Sequence, residues 1–125
     1  MEFHVYENAR AACEAAGVLI AAQITRKGDS VLGLATGSTP IPAYEMLTQW
    51  YDRGVIDFDR VRTFNLDEYV GLDYSSDQSY VYFMRHNFFD HINIDLANTN
   101  IPKGTNPDAR AECTCYDNII RSLGG

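Results

Sequence analysis

Apolar and polar positions alternate between two rhythms along the chain. Residues 2–6, EFHVY, read as a short strand. From Glu7 the spacing turns helical: Ala12, Ala16, Leu19, Ile20 and Ile24 recur on one side, and Lys27 with Gly28 gives a basic last turn and a stop. Residues 30–35, SVLGLA, form a continuous apolar run, the pattern of a central parallel strand buried on both faces. A second helix is predicted over 42–54, with Pro40 and Pro42 suited to its first turn and Gly54 to its cap. RVRTFNL, residues 60–66, is the next strand, and DEYVGLDYSSD, 67–77, the loop after it. A third helix is predicted over 78–92, with Tyr80, Phe83, Met84, Phe88 and Ile92 toward the core. Residues 93–108 are irregular, with a short strand around Asn100 and Ile101. A fourth helix follows over 109–125, capped by Asp108 and stopped by Gly124 and Gly125.

Strands alternating with helices predict an α/β fold: a mostly parallel, Rossmann-like open sheet with flanking helices, in one domain over 1–125. The pattern closes on a helix with three or four strands placed, where another strand is the natural sequel. The expectation is therefore a truncated sheet, the first part of a larger fold, with one sheet edge and an apolar helix face uncovered. Such a surface would make the chain self-associate, as a possible homo-oligomer, or seek a partner.

Composition narrows the classes. Apolar residues are 46% and charged residues 22% of 125, as in ordinary globular domains, so disorder is not expected. The net charge is −7 and the basic residues are scattered, which argues against a nucleic-acid partner. No apolar run is long enough for a bilayer, and the N-terminus lacks the order of a signal peptide, so no membrane partner is expected and the compartment is cytoplasmic. Cys13, Cys113 and Cys115 are an odd set without zinc spacing. They read as ordinary helix residues, and neither a metal nor a cofactor is expected.

Two stretches carry chemistry. In VLGLATGSTP, residues 31–40, a strand end meets a helix start across Thr36, Gly37, Ser38 and Thr39. The stretch matches neither the P-loop nor the dinucleotide fingerprint. Free backbone N–H groups, the positive helix end and three hydroxyls could still hold a phosphate. The same residues also suit a plain capped turn. In TFNLDEYVGL, residues 63–72, Asp67 and Glu68 follow another strand end, which puts two acids on the same sheet edge. A carboxylate there could be a general base, a solvated acid or a helix cap. Tyr69 and Tyr80 could line a cleft between the two stretches, whereas His4, His86 and His91 are not expected to be catalytic.

LGLATGSTP, TFNLDEYVGL, QSYVYFMRHNFFDHI and AECTCYDNIIRSLG, taken in order, resemble the glucosamine-6-phosphate deaminases over nearly the whole chain. The loop motif is shared with the 6-phosphogluconolactonases, whose second motif typically reads Asp-Glu-Arg. Tyr69 in that place favours the deaminases. The resemblance implies conversion of glucosamine 6-phosphate and water to fructose 6-phosphate and ammonia without a metal. It implies that Thr36, Gly37, Ser38 and Thr39 hold the phosphate of the small-molecule phosphosugar. Asp67 would move the proton between C2 and C1, with Glu68 and Tyr80 near the substrate. Many members have two glycines where this chain has Gly37 and Ser38, which matters only if Ser38 needs a positive φ. The family's ring-opening segment, Asp-x-His followed by Phe-Asn-Glu, and further phosphate-gripping basic residues are expected beyond residue 125. The alternatives are a lactonase-like hydrolase and a non-catalytic sugar-phosphate-binding module.

Overall fold

Each helix begins at a side chain that satisfies its first free N–H groups or at a proline. Asn8 accepts from Ala11 N (2.9 Å) and starts α1, Ala9–Arg26. Pro40 and Pro42 open α2, Ile41–Asp52. Ser79 accepts from Tyr82 N (3.0 Å) and starts α3, Tyr80–Asn87. Asp108 accepts from Ala111 N (3.0 Å) and starts α4, Ala109–Ser122. Between them run β1, Val31–Leu34, β2, Arg62–Asn65, and β3, Thr99–Asn100. Single 3-10 turns lie at Phe89–His91 and Leu96–Asn98. The computed structural model describes residues 2–124, so the Gly125 part of the last predicted stop lies outside them.

The strands pair in parallel in the order β1-β2-β3, with Gly33 opposite Phe64 and Thr63 opposite Thr99. The crossovers place α2 and α3 on one face, and α1 packs against α2 there. Their shared core holds Ile24, Leu34, Tyr44, Leu47, Phe58, Val61, Met84 and Phe88. Phe64 points to the opposite face and meets Tyr116 of α4 edge-on, centroids 5.6 Å apart.

Four expectations need correction. Residues 2–6 form no strand: Phe3 is 82% and Val5 95% exposed, and no neighbour pairs with them among the described residues. The β1 strand is an edge strand rather than a central one, and Gly33 on its second face is exposed. On α1 the buried residues are Gly17, Ala21 and Ile24, while Leu19 is 69% exposed and Ala16 is exposed. An Ala-rich helix is apolar almost all round, so periodicity alone does not select its inward face. Finally, α3 stops at Asn87, where Phe88 turns out of helical geometry and a 3-10 turn carries Phe89 inward. The open edge of β1 and the bare apolar residues of α1 are the uncovered surfaces expected of a partial sheet.

The carboxyl ends of the strands are closed by side chains. Tyr44 Oη donates to Ala35 O (2.6 Å), Asn65 Nδ2 to Leu34 O (3.1 Å) and Asn100 Nδ2 to Thr63 O (3.0 Å). Tyr116 Oη lies 2.7 Å from Asn65 O and 2.9 Å from Asn100 O and shares its one proton between them. Burial holds both the Tyr44 and Tyr116 phenols above their ordinary value, Tyr44 to about 12, so both stay donors. Tyr116→Phe removes the bridge between β2 and β3 and should cost about 1–3 kcal/mol. Urea unfolding checks this, and an unchanged midpoint would show that water replaces the bridge.

Candidate active site

The first half of the site is the loop from β1 to α2. Its sharp turn is made at Gly37, with φ +89°, a region open to glycine at no cost. No other residue type among the described residues has a positive φ, so Ser38 occupies its place without strain. Pro40 stands at the N-cap of α2 and offers no side-chain cap bond. Among the described residues, the sole hydrogen bond of residues 37–39 is the one Thr39 O accepts from Cys13 Sγ (3.2 Å). Three consecutive N–H groups and the hydroxyls of Ser38 and Thr39 are therefore uncommitted at a helix start. That is the donor set an anion requires.

The second half follows β2. Asn65 ends the strand fully buried, and Asp67 emerges two residues later, exposed. Glu68 turns the other way. Its Oε1 accepts from Tyr69 N (2.9 Å) and Tyr80 N (3.0 Å), and its Oε2 from Tyr80 N (2.9 Å) and Val81 N (3.3 Å). Glu68 is thus the first-turn anion of α3.

Tyr80 joins the halves. Its ring lies against that of Tyr69, centroids 4.8 Å apart. The neighbouring Tyr69 hydroxyl is the main influence raising the Tyr80 phenol above its ordinary value. Burial and the Asp67 carboxylate add to the rise, and the Thr36 side chain opposes it. One side chain therefore senses Thr36 from the first loop and Tyr69 and Asp67 from the second. The parallel pairing of β1 with β2 sets Thr36 and Asp67 past the same ends of neighbouring strands, whereas Glu68 is directed to the backbone of α3.

Asn65 and Tyr116 escaped the sequence reading. Asn65 is 1% exposed, ties the ends of β1 and β2 together, and leaves its Oδ1 buried with no donor among the described residues. The signal was present: one amide inside the run TFNL. The Thr63 hydroxyl is also buried without a partner among the described residues. A cleft of about 810 Å³ lies away from residues 36–39 and 67–69, lined by Tyr74, Tyr82, Arg85, His86 and Ile101 among others. Of the two loops it touches only Tyr74 and Ser75, at the far end of the one after β2, and Arg85 in it is engaged with Asp90 at 3.0 Å. The chemistry at the shared sheet edge, not the volume, marks the candidate site. No helix among the described residues is long and apolar enough to cross a membrane.

Comparison with known proteins bears on the family and the fold. The family model described as glucosamine-6-phosphate isomerases/6-phosphogluconolactonase matches residues 6–125. A glucosamine-6-phosphate deaminase of Halothermothrix orenii is 50% identical over all of this chain and 52% of its own length. Glucosamine-6-phosphate deaminase 2 of Bacillus subtilis is 46% identical over all of this chain and 50% of its own length. The solved structure of a monomeric glucosamine-6-phosphate deaminase superposes with a TM-score of 0.94 at 35% identity, over 99% of this chain and 52% of the other. The 6-phosphogluconolactonase of Thermotoga maritima is more distant: TM-score 0.74, 22% identity, over 96% of this chain and 53% of its own, a likeness of fold. The chain spans about half the length of the curated relatives it matches. With a family model covering almost every residue, the chain belongs to the glucosamine-6-phosphate isomerase/6-phosphogluconolactonase family.

Proposed function

We propose that this chain carries the phosphate grip and the isomerising base of a glucosamine-6-phosphate deaminase. The observation that supports it most is the run of uncommitted donors at residues 37–39, just past the end of β1, whose parallel neighbour β2 ends beside Asp67 at the same sheet edge. The loop binds the phosphate oxygens, and the opened sugar lies toward Asp67. The C2 proton is acidified by the adjacent carbonyl. The Asp67 carboxylate removes it and returns it at C1, turning the aldose into a ketose-level imine at C2. Water adds to that imine, ammonia leaves, and fructose 6-phosphate remains. Neither metal nor cofactor enters this proton transfer, and the compartment is the cytosol. The residues read as ring-opening lie outside this sequence, so the isolated chain should bind the phosphosugar and release almost no ammonia.

Titration calorimetry on this chain tests the grip. Glucosamine 6-phosphate should bind, inorganic phosphate should compete with it, and glucosamine should give no heat. Equal binding of glucosamine and its phosphate would refute the loop's role. Hydrolysis of 6-phosphogluconolactone by the complete protein in place of ammonia release would favour the lactonase reading.

A further inference from the structure

We propose that Glu68 is a positioning residue, which locks Asp67 and Tyr80 into one unit by clamping the loop after β2 to the start of α3; this rests on the reading of Asp67 as the base. The carboxylate of Glu68 serves three backbone N–H groups from two separate segments. Tyr69 N belongs to the loop that carries Asp67, and Tyr80 N and Val81 N are the first two of α3. Tyr82 N, the next donor of that helix, is taken by Ser79 Oγ at 3.0 Å. The start of α3 is therefore fully occupied from within. It offers a phosphate nothing, which leaves the anion to residues 37–39.

The loop is braced from its other side as well. Gly71 N donates to Gly104 O (2.8 Å), and a Cβ on Gly104 would fall onto Tyr69 O and lie 3.3 Å from Glu68 Cγ. Glycine is needed there because the two backbones touch. The segment around Gly104 is held in turn by Glu112 of α4, which accepts from Lys103 N (2.9 Å) and Asn106 Nδ2 (2.9 Å). Asp67 itself is exposed, and its neighbour Leu66 is 89% exposed, so neither anchors the loop by packing. Of the two acids in the motif, the second fixes where the first stands. A displacement of about 1 Å at a reacting group can cost about a hundredfold in rate.

The test compares two losses at one helix start, in the complete protein assayed for ammonia release. Glu68→Gln keeps one acceptor oxygen but turns an amide NH2 toward the α3 donors. Ser79→Ala removes the other cap of the same helix and, of the loop that carries Asp67, loses only the long bond to Tyr74 O (3.5 Å), seven residues from Asp67. Both should lower the melting temperature. Only Glu68→Gln should lower kcat, by about 10- to 100-fold, with KM for glucosamine 6-phosphate within about threefold because the phosphate donors are untouched. In amide exchange, Glu68→Gln should accelerate Tyr69, Tyr80 and Val81 together, and Ser79→Ala should accelerate Tyr82 while leaving Tyr69 unchanged. A kcat for Glu68→Gln within threefold of wild type, or an equal kcat loss in Ser79→Ala, overturns the positioning role. Full turnover in Asp67→Asn instead overturns the base assignment beneath it. An unchanged Tyr69 exchange rate in Glu68→Gln overturns the clamp without any reference to turnover.

Discussion

In the complete protein, replacing Asp67 by Asn should lower ammonia release from glucosamine 6-phosphate by about 100- to 10,000-fold while leaving the affinity for the phosphosugar nearly unchanged. The size is that of a general base taken out of a proton transfer. The selectivity follows from the structure. Asp67 is exposed and stands past the end of β2, so an amide of the same shape disturbs no packing. The donors that would hold the phosphate sit on the other loop, at residues 37–39. The fall should therefore appear in kcat, with KM and calorimetric affinity preserved. Turnover within threefold of wild type would remove Asp67 from the mechanism. A wild-type protein that binds the phosphosugar tightly, never releases ammonia, and is indifferent to this substitution would instead be a sensor.

The largest effect on stability should come from Phe58→Ala. Phe58 is fully buried and lies edge-on to Phe88 at 5.5 Å and to Tyr51 at 6.4 Å. Phe88 in turn stacks on Tyr44, centroids 4.7 Å apart. Truncation opens a cavity where α2, α3 and the segment before β2 meet, at a cost of about 3–5 kcal/mol. Against a total stability of about 5–15 kcal/mol, that leaves the domain partly unfolded or close to it. The loss should spread to the site, because Tyr44 carries the hydrogen bond that fixes Ala35 just before the phosphate loop. Denaturant unfolding followed by near-ultraviolet circular dichroism checks both parts. A loss under 1 kcal/mol would mean that the aromatic cluster collapses into the gap.

The alternation of strand and helix was legible because proline, glycine and capping residues punctuate it. Asn8, Ser79 and Asp108 cap helices where the pattern turns, and β3 falls within one residue of its expected place. Expectation and structure part where tertiary context decides. EFHVY has strand character but no partner, and strand character without a ladder makes no strand. Leu19 lies on an α1 surface that α2 does not reach, a fact of packing rather than of spacing. At the site, the motifs grouped Glu68 with Thr36, Asp67 and Tyr80 as residues near the substrate, and gave no sign that its carboxylate is spent on the backbone at the start of α3. Its task is a contact twelve residues along the chain, to the Tyr80 amide, and such a contact leaves no periodic trace. Asn65 and Tyr116 were hidden for the same reason: their partners are main-chain carbonyls, which every residue has.

Those carbonyl contacts bear on the energetics of recognition. With Tyr44, Asn65, Asn100 and Tyr116 closing the strand ends, the base of the site is rigid before any ligand arrives. The conformational entropy of that region is surrendered during folding, so little remains to be lost on association. Affinity for a phosphosugar should then be limited by desolvation of the phosphate and by ordering the short segment around Gly37. The binding heat capacity should accordingly be small, with the signature of a preformed surface rather than of folding coupled to binding.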